Sequence, residues 1–104
     1  MIQDAIRSDD PVIFMEPKSR YWPTGDVDFT DRGRTLHSTA LAREGTEVTR
    51  LGHGAIVSVL LQAAELAAEE GTSVEVLDLR SLSPIDYGPI LESVRKTGRL
   101  VIVQ

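Results

Sequence analysis

No cysteine occurs in the 104 residues, and only one tryptophan, two tyrosines and two phenylalanines do. Without cysteine there is no disulfide, thiolate metal site, iron–sulfur cluster or cysteine nucleophile. Basic residues are in the minority. Eleven Lys and Arg stand against sixteen Asp and Glu, a formal charge of −5. That balance removes the electrostatic pull toward nucleic acid or an anionic membrane, both of which attract basic patches. Long apolar runs are missing too. The nearest approach, residues 55–68, is interrupted by Ser58, Gln62 and Glu65 and falls short of the ~20 residues a membrane span requires. Met1-Ile2-Gln3-Asp4 lacks the basic lead and apolar run of a secretory signal. There is no Walker loop, Gly-x-Ser-x-Gly or His-Glu-x-x-His. The expectation is a soluble intracellular protein with neither a nucleic-acid nor a membrane partner.

What is present is ordinary globular material, 41% hydrophobic and 26% charged, enough for one domain. Ile2, Ala5 and Ile6 predict a helix over residues 1–7, stopped before Pro11 because a residue preceding proline is driven out of the helical region. The continuous apolar run 12–15 predicts a strand buried on both faces. Residues 16–35 then lose periodicity and hold Pro17, Pro23, Gly25, Gly33, Tyr21, Trp22 and Phe29. A connector of that length is unusual within one domain, so a domain boundary is placed inside it. Strands are predicted at 35–42, 48–51, 74–79 and 100–103. Between them a helix is predicted over 55–70, and a second is capped by Asp86, carries Pro89 in its first turn and Arg95 and Lys96 in its last, and stops at Gly98. The alternation argues for an α/β fold, a mostly parallel sheet with helices on its faces.

Candidate chemistry is sparse. Gly52-His53-Gly54, between a strand and a helix, suits either a phosphate at a helix N-terminus, as in a free-standing nucleotide-binding domain, or a plain tight turn. The position where a third glycine would complete the dinucleotide pattern is Val57. His37 and His53, the only histidines, belong to no metal-ligand spacing. Glu16 follows the first predicted strand and reads as a functional carboxylate or as a local partner. Arg20-Tyr21-Trp22 combines residue types enriched in binding hot spots, against the alternative of a loop folding its aromatics inward. Asp78 and Arg80 read as strand-end charges. Eleven of the fourteen residues 55–68 are apolar, wider than the stripe one sheet requires. The extra surface faces a second domain or subunit, or is alanine left exposed.

Several segments together resemble a known family. These are Ala5-Ile6-Arg7-Ser8-Asp9-Asp10-Pro11-Val12-Ile13-Phe14-Met15-Glu16-Pro17-Lys18, Arg43-Glu44-Gly45-Thr46-Glu47-Val48-Thr49, Glu75-Val76-Leu77-Asp78-Leu79-Arg80-Ser81-Leu82-Ser83-Pro84-Ile85-Asp86, and Ser93-Val94-Arg95-Lys96-Thr97-Gly98-Arg99. In this order they resemble the beta subunit of the thiamine-diphosphate-dependent decarboxylating component of 2-oxo acid dehydrogenase complexes. The resemblance implies an incomplete, Rossmann-like three-layer fold of the transketolase C-terminal type. Residues 1–17 would be the last helix and strand of a pyrimidine-binding domain, 18–34 a linker, and 35–104 the first half of the C-terminal domain.

The implied reaction is oxidative decarboxylation of a 2-oxo acid with acyl transfer to a lipoyl group. Arg20-Tyr21-Trp22 resembles the branched-chain (2-oxoisovalerate) members more than the pyruvate or acetoin ones. The implied cofactor is thiamine diphosphate with Mg. The implied partners, in a heterotetramer, are an alpha subunit and a second beta subunit, together with a lipoyl acyltransferase core. The implied compartment is the bacterial cytoplasm or the mitochondrial matrix. No residue matches the family's activating carboxylate or active-site histidine, so no catalytic, cofactor-binding or metal-binding residue is assigned. The chain by itself is therefore expected to bind no cofactor and to be inactive. The interface candidates are Arg20, Tyr21, Trp22, His53 and Gly54. Where relatives commonly have Thr-Tyr-Gly before the long helix, this chain has Gly52-His53-Gly54.

Overall fold

Residues 1–22, 24–26 and 36–104 are described by the computed structural model, in which the chain divides into two units, Met1–Leu36 and His37–Gln104. The first holds a short helix, α1 (Ile2–Arg7), and a single 3-10 turn, Lys18–Arg20. Residues 12–15, expected as a strand buried on both faces, form none, and Ile13 is 90% exposed. An apolar run becomes a strand only beside a partner that takes up its N–H and C=O groups, and among the described residues nothing pairs with it.

The second unit runs β1 (Ala40–Arg43), β2 (Val48–Gly52), α2 (Ile56–Glu69), β3 (Val74–Asp78), α3 (Tyr87–Thr97), β4 (Leu100–Ile102). Its four strands form one sheet in the order β1-β3-β2-β4. β2 is parallel to both neighbours, with Val48 opposite Val74, Gly52 opposite Asp78 and Thr49 opposite Leu100. β1 is antiparallel to β3, and its register shifts between Leu41 and Arg43. The fold is thus α/β with a mostly parallel sheet, as the alternation of elements implied. Side chains alternate across a strand, and here both faces are apolar. Val74 and Val76 pack with Leu60 and Ala64 of α2. Leu51, Leu77 and Leu79 pack with Ile90 of α3. A strand covered on both sides reads as a near-continuous hydrophobic run, and Glu75, 2% exposed, is the break in it.

Two strand expectations need correction. The strand predicted over 35–42 begins only at Ala40 and ends at Arg43. Thr35 lies outside the described residues. The strand predicted as buried over 100–103 is exposed throughout Leu100–Ile102. It ends the sheet, bonded on one side to β2, while the helices pack chiefly over β2 and β3.

Helix α3 starts where its sequence says it must. Asp86 Oδ1 accepts the Gly88 N–H at 3.2 Å, and Gly98, at φ +69°, donates its N–H to the Val94 carbonyl at 2.8 Å. The same aspartate ties down the approach to β1. Its Oδ2 accepts the Thr39 N–H at 3.3 Å, and its carbonyl accepts the Thr39 hydroxyl at 2.9 Å. Asp86→Ala removes both side-chain bonds and is expected to cost about 1–2 kcal/mol, a cap plus part of a second bond. A lowered urea midpoint at unchanged slope is the expected reading, and an unchanged midpoint refutes it.

Candidate functional site

Open parallel sheets present ligands at the carboxyl ends of their strands, and here that edge is built from two turns. The first, Gly52-His53-Gly54, leads from β2 into α2. The second, residues 79–81, follows β3. They are tied together by the Leu79 N–H, which donates to the Gly52 carbonyl at 2.8 Å. Gly52 is required by packing, since a Cβ there would lie 2.6 Å from Ile56 Cγ2 and 2.8 Å from Leu60 Cδ1. Gly54 sits at φ +59°, where side chains other than glycine's are strained. Both glycines therefore have a structural reason independent of any phosphate. Val57, in place of a third glycine, is buried. The dinucleotide reading of this turn gains no support from the geometry.

His53 is half-buried at this edge, and its neighbour Gly54 is exposed. Asp78 closes β3 and turns back on its own chain. Its Oδ1 accepts the Arg80 N–H at 3.2 Å and its Oδ2 lies 3.7 Å from Arg80 Nε. These bonds hold Arg80 at φ +56°, the one non-glycine among the described residues with positive φ. His37 reaches the same edge, its Nδ1 3.5 Å from the hydroxyl of half-buried Ser81. That distance is long, and no described carboxylate bonds the imidazole, so histidine and serine do not make a nucleophile–base pair of the triad kind. Among the described residues no three of His, Asp or Glu converge to hold a metal. The donor set for a diphosphate-bound Mg is not assembled among the described residues.

The sequence reading missed a polar brace on the α3 face. Thr49, Glu75 and Ser93 are all buried. Glu75 Oε2 accepts the Gly45 N–H at 3.3 Å and is ion-paired with Lys96 Nζ. Burial alone pushes the Glu75 carboxyl up. Hydrogen bonds from Lys96, Ser93 and Gly45, with the Lys96 charge, outweigh that and hold it below its ordinary value. The Thr49 hydroxyl lies 2.7 Å from both the Ser93 and the Thr97 hydroxyl oxygens. No buried side-chain nitrogen or oxygen among the described residues lacks a partner. A fully satisfied network rigidifies a core and offers no free group for chemistry. Periodicity could not have found it, because Glu75 and Lys96 belong to different elements, and only an isolated charge in a β-branched strand hinted at it.

Arg20, Tyr21 and Trp22 lie in the first unit. Tyr21 Oη donates to Glu16 Oε2 at 3.2 Å. That bond, and the carboxylate's charge, keep the phenol proton on and raise the Tyr21 pKa. Glu16 thus takes its local-partner role. Trp22 is 86% exposed, so the aromatics are not folded inward. Phe14, Met15, Glu16, Pro17, Arg20 and Tyr21 line one open groove.

The order of strands, with β2 central and parallel to both neighbours, and the two turns at its carboxyl edge describe a recognisable half-sheet. Residues 38–104 match the model of the transketolase C-terminal domain. The chain belongs to that family. A relative from Leifsonia xyli, described as the beta subunit of the pyruvate dehydrogenase E1 component, is 60% identical over the entire chain, which spans 31% of that protein. The mitochondrial 2-oxoisovalerate dehydrogenase subunit beta of Dictyostelium discoideum is 44% identical over 94% of the chain and 27% of its own length. A solved structure described as a split-gene transketolase, an inactive beta4 tetramer, superposes with a TM-score of 0.67 at 32% identity, covering 76% of this chain and 26% of that one. The chain spans about a third of the length of the curated relatives it matches.

Proposed function

We propose that this chain is the architectural core of the beta subunit of a 2-oxo acid dehydrogenase. Residues 1–17 close a preceding domain, 18–34 connect, and 35–104 begin the C-terminal domain. The carrying observation is the 60% identity to a pyruvate dehydrogenase beta subunit along the full chain. The reaction is oxidative decarboxylation with acyl transfer to a lipoyl group, in a heterotetramer with an alpha subunit and a second beta subunit, served by a lipoyl acyltransferase core. Thiamine diphosphate with Mg supplies the carbanion chemistry. In this reading the present residues contribute scaffold and subunit contacts, and the compartment is the cytoplasm or the mitochondrial matrix. Pyruvate is supported by the relative at 60% identity, while among the other relatives branched-chain-named subunits, at 44% and 38%, and pyruvate-named ones, at 36%, 38% and 40%, are about equally near. The branched-chain preference drawn from Arg20-Tyr21-Trp22 is not confirmed by the relative at 60% identity.

A chimera tests this. Residues 1–104 replace the matching third of the Leifsonia xyli beta subunit, which is then assembled with its alpha subunit. Pyruvate-dependent decarboxylation within about tenfold of the parent, equivalent to about 1.4 kcal/mol in the barrier, is expected. A chimera that assembles yet shows no decarboxylation overturns the proposal, and one that prefers 3-methyl-2-oxobutanoate overturns the pyruvate assignment.

A further inference from the structure

Beside α3 the sheet leaves a small cavity that the core does not fill. Helix α3 packs against β2 and Leu77 of β3, whereas β1 pairs with the far side of β3, with Leu41 opposite Leu77. Leu77 is buried, but Leu41, on the same face of the sheet, is 52% exposed. The cavity, about 210 Å³, has these two leucines as its floor and Pro89, Glu92 and Lys96 of α3 along its wall. Sites for drug-sized molecules run from roughly 300 Å³ upward, so the occupant of this one is smaller.

The charges on the wall do not balance. Glu92 stands one turn before Lys96, the spacing at which a helix forms its own ion pair. Lys96 is instead ion-paired with Glu75 of β3. Glu92 is exposed and has no ion pair among the described residues. Glu75 and Lys96 cancel, so the cavity keeps one net negative charge beside an apolar floor. From this unpaired carboxylate and these two leucines we propose that the cavity binds a small aliphatic ammonium ion. Its –NH3⁺ group donates to the Glu92 carboxylate, and its alkyl chain lies on Leu41, Leu77 and Pro89. A carboxylate of the same length has the wrong charge, since it meets Glu92 while Lys96 is already taken by Glu75. A cation without a tail gains nothing from the leucines, and an exposed ion pair alone contributes little. The site is independent of the reaction assigned to the parent enzyme.

Titration of the full 104-residue chain with n-pentylammonium, followed in ¹H–¹⁵N spectra, tests the site. The amides of Leu41, Leu77 and Glu92 are expected to shift saturably, with a dissociation constant on the order of 1 mM, within reach of so small a ligand. Methylammonium should bind at least tenfold more weakly, since each buried methylene contributes about fourfold, and pentanoate should not bind. Glu92→Gln should weaken pentylammonium by about threefold to fivefold at unchanged far-UV circular dichroism, and added salt should act in the same direction. Leu41→Ser should weaken it further, and if that variant unfolds, Glu92→Gln decides. Absence of a saturable shift at these amides overturns the proposal. So does equal affinity for methylammonium, which reports a bare charge effect, or binding of pentanoate at the same amides, which reports Lys96 as the anchor. A Glu92→Gln variant that binds as the parent does overturns it too. The chimera's activity reads none of these shifts, so the two proposals fail separately.

Discussion

Gly45→Ala is expected to unfold the His37–Gln104 unit or to destabilise it by on the order of 3 kcal/mol or more. Gly45 is buried in the turn between β1 and β2, and a Cβ built on it lands on the backbone of Val74 and Glu75 at the start of β3. Backbone at that point cannot step aside as a flexible side chain does. β3 lies between β1 and β2 in the sheet, and its register with β2 begins at Val74. Moving it would disturb both core faces, and displacing Gly45 instead would break its N–H bond to the buried Glu75 carboxylate. Urea denaturation followed by circular dichroism measures the outcome. A Gly45→Ala variant with the parent midpoint would show that the turn relaxes freely and that the close approach carries no stability.

The second large effect concerns the ion pair on the same strand. Lys96→Met leaves Glu75 buried with only the Gly45 and Ser93 donors. Breaking a fully buried pair costs several kcal/mol, but the Lys96 side chain is 48% exposed, so water screens part of the charge. About 1–2 kcal/mol is the expected loss. The double variant Glu75→Gln/Lys96→Met should recover part of it, because the uncompensated charge is then gone. The folded-state pKa of Glu75 is lowered from its ordinary value of 4.5. A depressed carboxylate pKa stabilises the fold fully above that ordinary value, and the contribution is lost as pH falls below it through the folded-state value. Stability should therefore drop between pH 4.5 and the more acidic folded value, and Glu75→Gln should flatten that portion of the curve. Equal slopes for the parent and Glu75→Gln would contradict the assignment.

Local chemistry was legible in the sequence wherever a short segment decides its own structure. Asp86, Pro89 and Gly98 marked the start and end of α3, since capping groups act within one turn. The strand–helix–strand alternation identified a mostly parallel α/β sheet, and the ordered segments identified the family. Apolar content alone did not decide burial. Residues 12–15 and 100–103 are equally apolar runs, yet the first forms no strand and the second is an exposed edge, because burial depends on neighbours that a linear reading cannot supply.

Sequence by itself determined the strand–helix alternation from residue 48 onward, the two helix-covered faces and the family, because period, caps and turn residues operate over a few residues. Tertiary structure alone decided the antiparallel placement of β1 beside β3, the close approach of Gly45 to Val74 and Glu75, and the joining of Glu75 to Lys96. It also decided that the glycines before α2 answer to Ile56, Leu60 and a left-handed backbone. Each of these depends on which distant segments the sheet brings side by side, and that is set by packing both faces at once, information no single stretch of chain contains.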